Sequence, residues 1–535
     1  MDSIAVALPG FTALGLVSLV MLPSQIANRF PGLMAQGVTL VAALALVASL
    51  ASGWVVFGGG VPVTAGFSPQ LTAPIGFGIY LDPVAVVMLV LISFIGMVIA
   101  RFSIRYLAGD LNQGRFFRWM SVTLGASLFM AMASNLLLFG LAWMLTSLGL
   151  HKLLTHYPER PWAIWAARKK FLISRVGDLL LIAAIWLTFT HLGTLEYSEI
   201  FAWAKTNEES ISGNDSVIQW IGLLFVLGAM TKSAQFPFHT WLPDTMETPT
   251  PVSALMHAGV INAGGFLVIR LSPLIGLAPM ALDLLAVVGA FTALLGGMVM
   301  LTQTSIKRFL AYSTIAQMGF MMLQCGLGAF SAAMLHIIAH SAYKAHAFLR
   351  SGSVLEKSAN CGNPAGTPSA TLGTLGTCLI AAMASVLLVY TGFQILRIDP
   401  FLKPGGVLLG LVLALALTQL LTLSWVLGDR GLALRGLAGA SLTCAAYFTA
   451  FGVIDYLLAP CVPTPLGPPS FLDWSLMMLV AIGFGGVFLI QILVQRPTPP
   501  TWINALYVHA MNGFYIDIPA RRLTGRFYGQ SSPVQ

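Results

Sequence analysis

Charge is what this sequence lacks. Only 9% of its 535 residues are Asp, Glu, Lys or Arg, against about a quarter in a soluble domain, so the chain cannot cover a water-facing surface. Cysteine is scarce as well. Cys325, Cys361, Cys378, Cys444 and Cys461 are scattered, with no CxxC and no Cys/His pair at ligand spacing, which argues against a metal centre or an iron–sulfur cluster. No GxGxxG opens a helix after a strand and no P-loop occurs, so ATP-driven pumping and flavin or nicotinamide binding are disfavoured and no cofactor is expected. No basic block with interleaved aromatics stands apart from an apolar run, so the net charge of +8 and the pI near 9.3 call for no nucleic-acid partner.

Apolar sequence is abundant: 57% of residues are hydrophobic and the mean hydropathy is +0.84. Runs long enough to cross a bilayer recur along the chain, so the expected class is an all-α polytopic membrane protein in contact with lipid. Hydropathy predicts about 15 transmembrane helices, centred near residues 12, 45, 91, 127, 144, 181, 224, 262, 290, 317, 340, 380, 415, 445 and 484. The first run starts at Ser3 with no basic residue before it and reads as a span, not a cleaved signal peptide. Basic residues concentrate in alternate loops, around Arg29, Arg101 to Arg118, Lys152 to Arg175, Lys307, Arg350, Arg430 and the tail from Arg496 to Arg526. Only Lys205, Arg270, Arg397 and Lys403 fall on the opposite side, and Lys232 and Lys344 lie within spans. By the positive-inside rule the N-terminus is outside and the C-terminus cytoplasmic.

The buried polar residues carry the chemistry. In MTKSAQFPFHTWLPD (230–244), Lys232 closes an apolar run and Pro237 must break the helix within a turn. Unwound backbone at membrane depth is tolerated where protein or a water-filled cavity satisfies it, and transporters place ion sites there. A lysine at such a place is either a proton-exchanging group or a side chain snorkelling to the interface. MHAGVINAGGFLVIR (256–270) adds His257 and Asn262 to a small-residue helix; the histidine reads as a proton intermediary or as a packing residue. In LHIIAHSAYKAHAFLRSGS (335–353), His336, His340 and Lys344 recur every four residues on one face, about 6 Å apart along the axis. Arg175 and Asp178 are spaced to pair at the start of a span, as an interfacial bridge or as part of a path. Arg175, His151 and His239 are candidates for an ion pair or for partner docking.

The ordered set TKSAQFPFHTWLPDTMETPTPVSALMHAG, IKRFLAYSTIAQMGFM and HIIAHSAYKAHAFLRSGSV resembles the antiporter-like membrane subunits of respiratory NADH dehydrogenase and of multisubunit sodium/proton antiporters, over roughly residues 80 to 355. The resemblance implies inverted helix repeats with a broken helix near Lys232–Pro237, and ion translocation through Lys232, His257, His336, His340 and Lys344. It implies four regions: 1–110, N-terminal helices; 111–275, a first antiporter-like repeat; 276–430, a second, degenerate repeat; and 431–535, C-terminal helices and cytoplasmic tail. There are departures. Pumping relatives carry Trp-Glu where this chain has Trp143-Met144, which leaves Lys232 without its usual counter-ion, and Asp178 becomes the candidate. A second broken helix bearing a basic residue is not evident around residues 370–400, and no long lateral helix is expected after YVHAMNGFYID.

SLGLHKLLTHYPERPWAIWAARKKFLISRVGD (147–178) resembles the corresponding stretch of the DabB family, membrane subunits of two-part inorganic carbon transporters. That resemblance implies an ion-conducting, non-enzymatic subunit in the cell inner membrane. Its hetero-oligomeric partner would be a DabA-like zinc subunit that hydrates CO2 like a carbonic anhydrase, driven by protons or sodium ions. The other reading is a subunit of a respiratory NADH dehydrogenase or of a multisubunit Na+/H+ antiporter, and a purely structural scaffold is a third. Histidines and lysines favour protons, because sodium prefers oxygen ligands and intramembrane carboxylates are few.

Overall fold

The computed structural model describes residues 2–59, 62–67, 76–208, 215–353, 372–401, 405–427, 430–463, 471–494 and 500–529. Cys361, Lys357, Lys403 and Arg496 lie outside the described residues. Among the described residues the regular structure is helical except for one two-stranded hairpin, β1 (Val63–Phe67) with β2 (Phe77–Leu81), paired antiparallel with Val63 opposite Leu81.

In chain order the first helices are α1 (Asp2–Ser18), α2 (Ser24–Arg29), α3 (Pro31–Gly59), α4 (Pro83–Tyr106), α5 (Gln113–Met132), α6 (Leu136–Leu154), α7 (Pro161–Leu192), α8 (Tyr197–Asn207) and α9 (Ser216–Lys232). The short α10 (Trp241–Asp244) follows, then α11 (Thr250–Ala258), α12 (Ala263–Arg270), α13 (Ser272–Ile275), α14 (Pro279–Met300), α15 (Ile306–Gly326) and α16 (Phe330–Arg350). The remainder are α17 (Leu372–Ile395), α18 (Gly406–Leu427), α19 (Arg430–Leu458), α20 (Phe471–Val494), α21 (Thr501–Met511) and α22 (Asp517–Tyr528). Among the described residues nine helical segments are long and apolar enough to cross a membrane: α3, α4, α6, α7, α11 with α12, α14, α17, α18 and α19. Stretches overlapping α1, α9 and α20 are apolar but shorter. Every predicted span centre falls in a helix, except residue 262, which sits at the one-turn link between α11 and α12.

Local chemistry sets the helix ends that hold the site. Asp82 caps α4 by accepting the Ala85 N–H at 2.8 Å, with Pro83 at the first helical position. Its other oxygen accepts from Arg270 at 2.7 Å, so the end of α12 is tied to the start of α4 by a fully buried ion pair. Asn135 caps α6 at Leu138 and also donates to the Gly76 carbonyl and to Glu196. α14 and α15 pack closely enough that a Cβ at Gly319 would stand 2.4 Å from the Ala293 nitrogen, so only glycine fits there. The largest core cluster runs through α4 to α7, α9, α11, α12, α15 and α16, and the polar residues of interest lie inside it.

Candidate functional site

Two polar groupings lie in this core. The first joins α6, α7 and α9. Lys232 ends α9, where a cation meets the negative end of the helix dipole. The backbone then leaves the helix, and Ala234 takes a left-handed φ of 50° before Pro237. Lys232 is 6% exposed. Its Nζ donates to the Trp143 carbonyl at 3.0 Å and lies 4.3 Å from the centroid of the Trp143 ring. Among the described residues it makes no ion pair. Asp178 instead accepts the Trp143 Nε1–H at 3.2 Å and pairs with Arg175 at 2.6 Å. Trp143 therefore stands between lysine and carboxylate, offering its carbonyl to one and its indole N–H to the other. Lys170, also fully inside, donates to the Ser147 carbonyl and hydroxyl at 2.9 and 2.7 Å. This approach of α7 to α9 needs Gly177, where a Cβ would stand 2.0 Å from Thr231 Oγ1.

The second grouping joins α11, α15 and α16. His336 and His340 have ring centroids 6.0 Å apart, the separation their spacing of four predicts. His340 Nε2 lies 3.2 Å from the His257 carbonyl, which joins the stripe on α16 to α11. His257 is fully buried, with Nδ1 3.0 Å from Thr314 Oγ1 on α15 and its ring stacked on Phe348 at 4.4 Å. Lys344 donates to the Leu310 carbonyl at 3.0 Å and to the Ser313 hydroxyl at 2.6 Å. Asn262 donates to Ser341, tying the link after α11 to α16. The His257 and His336 Nε2 atoms are buried and unpartnered, so each has a free valence for a proton or a water molecule. His346, by contrast, is exposed and falls on another face of α16, as its spacing predicts.

Other features were not foreseen. Lys169 and Lys170 were counted with the loop cations between Lys152 and Arg175, but α7 begins at Pro161 and buries both. A KK pair inside RKKFLISRVGD looks like an interfacial cluster; only the early helix start reveals otherwise. Arg270, assigned to an outer loop, is buried against Asp82. His151 packs its ring 5.3 Å from Phe171 and keeps a buried, unpartnered Nδ1, while His239 lies near Lys169 beyond the helix break with an unpartnered Nδ1 of its own. In the turn after α4, Asp110 gathers the Asn112 N–H at 2.7 Å, the Tyr157 hydroxyl at 3.0 Å and His156 at 3.3 Å. Burial pushes the Asp110 carboxyl up, but those hydrogen bonds outweigh it and hold it below its ordinary value. Burial in turn pushes His156 down.

Residues 133–364 match the family described as NADH:quinone oxidoreductase/Mrp antiporter, and residues 70–117 match the N-terminal segment of complex I chain 5. A probable inorganic carbon transporter subunit DabB2 of Halothiobacillus neapolitanus is 39% identical over 464 residues, 87% of this chain and 83% of the relative. A probable DabB subunit of Hydrogenovibrio crunogenus is 43% identical over 275 residues, 51% of this chain and 52% of that protein. The Mrp complex of Dietzia superposes with a TM-score of 0.58 at 23% identity over 98% of this chain and 56% of that one, a likeness of fold. All named residues of both groupings fall within the antiporter match, and the chain belongs to the NADH:quinone oxidoreductase/Mrp antiporter membrane family, within its DabB group of probable inorganic carbon transporter subunits.

Proposed function

We propose that this chain is the ion-conducting membrane subunit of an inorganic carbon accumulation complex and that the ion is the proton. The observation that carries the reading is Lys232: an intramembrane lysine at a helix break, with a carbonyl and an aromatic ring as its near partners. An amine and an ammonium can both donate to a carbonyl, so such a lysine keeps its hydrogen bond through a cycle of proton loss and gain. The three titratable side chains of α16, linked to His257 through the 3.2 Å contact of His340, extend the path. The N-terminus would lie outside and the C-terminus in the cytoplasm, in the cell inner membrane, with the basic loops inside.

The relatives' names, probable inorganic carbon transporter subunits, support the carbon side of this reading. In this reading a DabA-like zinc subunit hydrates CO2 on the cytoplasmic side while proton entry through this chain makes the hydration one-way. Met144, in place of the usual glutamate, favours this reading over a pumping subunit of an NADH dehydrogenase or a multisubunit Na+/H+ antiporter. The test is uptake of labelled inorganic carbon by cells expressing this chain with its neighbouring gene. Uptake that needs both genes and collapses with a protonophore is the expected result. Uptake that survives the protonophore but needs sodium would change the ion. No uptake, with NADH-linked or salt-tolerance activity instead, would refute the proposal.

A further inference from the structure

Beyond the helix break, at the end of the molecule where α22 docks, a cavity of about 440 Å³ opens. Its walls include His239 and Asp244 from the broken segment, Arg308 and Tyr312 from α15, and Asp517 and Arg521 from α22. The Lys169 ammonium stands at its edge. It donates to the Thr240 carbonyl at 3.0 Å, to Asp244 at 2.8 Å, and to Asp517 across 348 positions of sequence. Arg521 pairs with Asp517 and reaches Asp244 at 3.7 Å. The helix is held further by Arg521 against Trp162 and by Arg168 over Tyr528. Two buried polar atoms on the cavity wall, His239 Nδ1 and Thr240 Oγ1, have no partner, and both residues are at least 95% buried.

We infer that this cavity is the cytoplasmic mouth of the proton path, and that Asp517, brought by the C-terminal helix, is the group that exchanges the proton with water there. The inference rests on the proton-conducting reading above. A cavity of this size holds several water molecules at about 30 Å³ each, enough to join the Asp517 carboxylate to His239. On inward flow, the N–H bond at His239 Nδ1 breaks as an O–H bond forms on Asp517 through cavity water. That O–H then breaks as the proton passes to a water molecule of the cytoplasm, giving hydronium, and Asp517 returns to its pairs with Lys169 and Arg521; flow driven from the cytoplasmic side runs the same steps backwards. The charged and titratable groups facing this exchange are Lys169 from α7, Asp244 from α10, Arg308 and Tyr312 from α15, and Arg521 from α22. Lys169 and Arg521 offset the two carboxylates, so the site takes up one proton without assembling a large net charge.

The experiment is proton flux through proteoliposomes carrying the full chain with its partner subunit, driven from the side of the C-terminal helix and read by a pH dye, with pH varied on that side. Asp517→Asn should lower flux about tenfold at pH 8, the lower end of what a charged cleft adds to a capture rate. At pH 6 the deficit should shrink, because a hundredfold higher proton concentration replaces the collecting group. Asp517→Glu should restore wild-type flux at both values. His239→Gln, which touches none of these ion pairs, should show the same graded deficit and decides the matter if Asp517→Asn fails to assemble. A loss equal at both pH values, or no loss, overturns the mouth alone. A wild-type complex that moves no protons overturns the functional reading and the mouth with it.

Discussion

Replacing Lys232 by methionine separates function from stability at one atom. The stem is kept and the ammonium removed, so Trp143 loses a charged donor at its carbonyl and a cation 4.3 Å from its ring. A hydrogen bond from a charged donor contributes about 1.5–3 kcal/mol, and a desolvated cation–π contact about 2 kcal/mol. Against these stands the penalty of a 94% buried cation with no ion-pair partner among the described residues, which is on the order of several kcal/mol. The two sides are of one size, so Lys232→Met should change stability by no more than about 2 kcal/mol, in either direction. The Trp143 carbonyl remains within the α6 ladder and is not orphaned. Flux should nevertheless fall by about a hundredfold or more, the scale of a lost proton-transfer group. Thermal unfolding in detergent and proton flux in proteoliposomes, measured on one preparation, give both numbers. Flux within a few-fold of wild type would refute the reasoning, as would a complex that unfolds because the ammonium was holding it together.

Three further outcomes follow from the same contacts. Asp178→Asn keeps an acceptor for the Trp143 indole but deletes the charge paired with Arg175; because Arg175 is 41% exposed and can turn to water, stability should drop by only about 1 kcal/mol while flux is lost, and unchanged flux would remove Asp178 from the path. His340→Ala breaks the contact from α16 to the His257 carbonyl and should abolish transport with assembly intact, as judged by co-purification with the partner subunit. Acid should weaken the turn that joins α4, α5 and the end of α6. His156 is lowered in the fold, so its unfolded form binds protons first and stability begins to fall below about pH 6.5. Asp110 is lowered as well, so its contribution, present above its unfolded value, is lost as pH falls further, through its folded value. His156→Gln should flatten the first part of this profile, and a profile unchanged by the substitution would show that another group controls it.

Much of the second grouping was legible because its information is local. His336, His340 and Lys344 recur every four residues, and a single continuous helix turns that spacing into one face. The helix break was legible for a similar reason, since proline removes a donor within a turn, although α9 stops at Lys232, before Pro237 is reached. What was not legible depends on three-dimensional neighbours or on helix starts. Asp82 and Arg270 lie 188 positions apart, and hydropathy placed Arg270 in an outer loop because it cannot see a buried carboxylate. Lys169 and Lys170 are adjacent in sequence, but successive residues on a helix face different neighbours, and one meets carboxylates while the other meets a serine. The hairpin β1–β2 left no signal among the apolar runs. Trp143 was noted beside Met144 for the missing glutamate, whereas its own carbonyl and indole N–H form the link between Lys232 and Asp178.

The buried cations sort into two classes by what holds them, and the sorting bears on function. Arg270 is locked by Asp82 and the Ala131 carbonyl and enclosed by Tyr80, Tyr197 and Phe266; removing its proton would strand a carboxylate in the core, so it serves as a fixed tie between helices. Lys169 is likewise held by carboxylates, those of Asp244 and Asp517. Lys170, Lys232 and Lys344 are different. Each donates to a main-chain carbonyl, and Lys170 and Lys344 also to a serine hydroxyl. Neutral oxygens accept from an amine as well as from an ammonium, though more weakly, so none of these contacts is lost when the proton leaves. A fold that needed these lysines only as glue would gain more from a carboxylate opposite each, because a lone buried charge is expensive. Three lysines kept on neutral acceptors inside one core are the arrangement that the proposed proton path calls for.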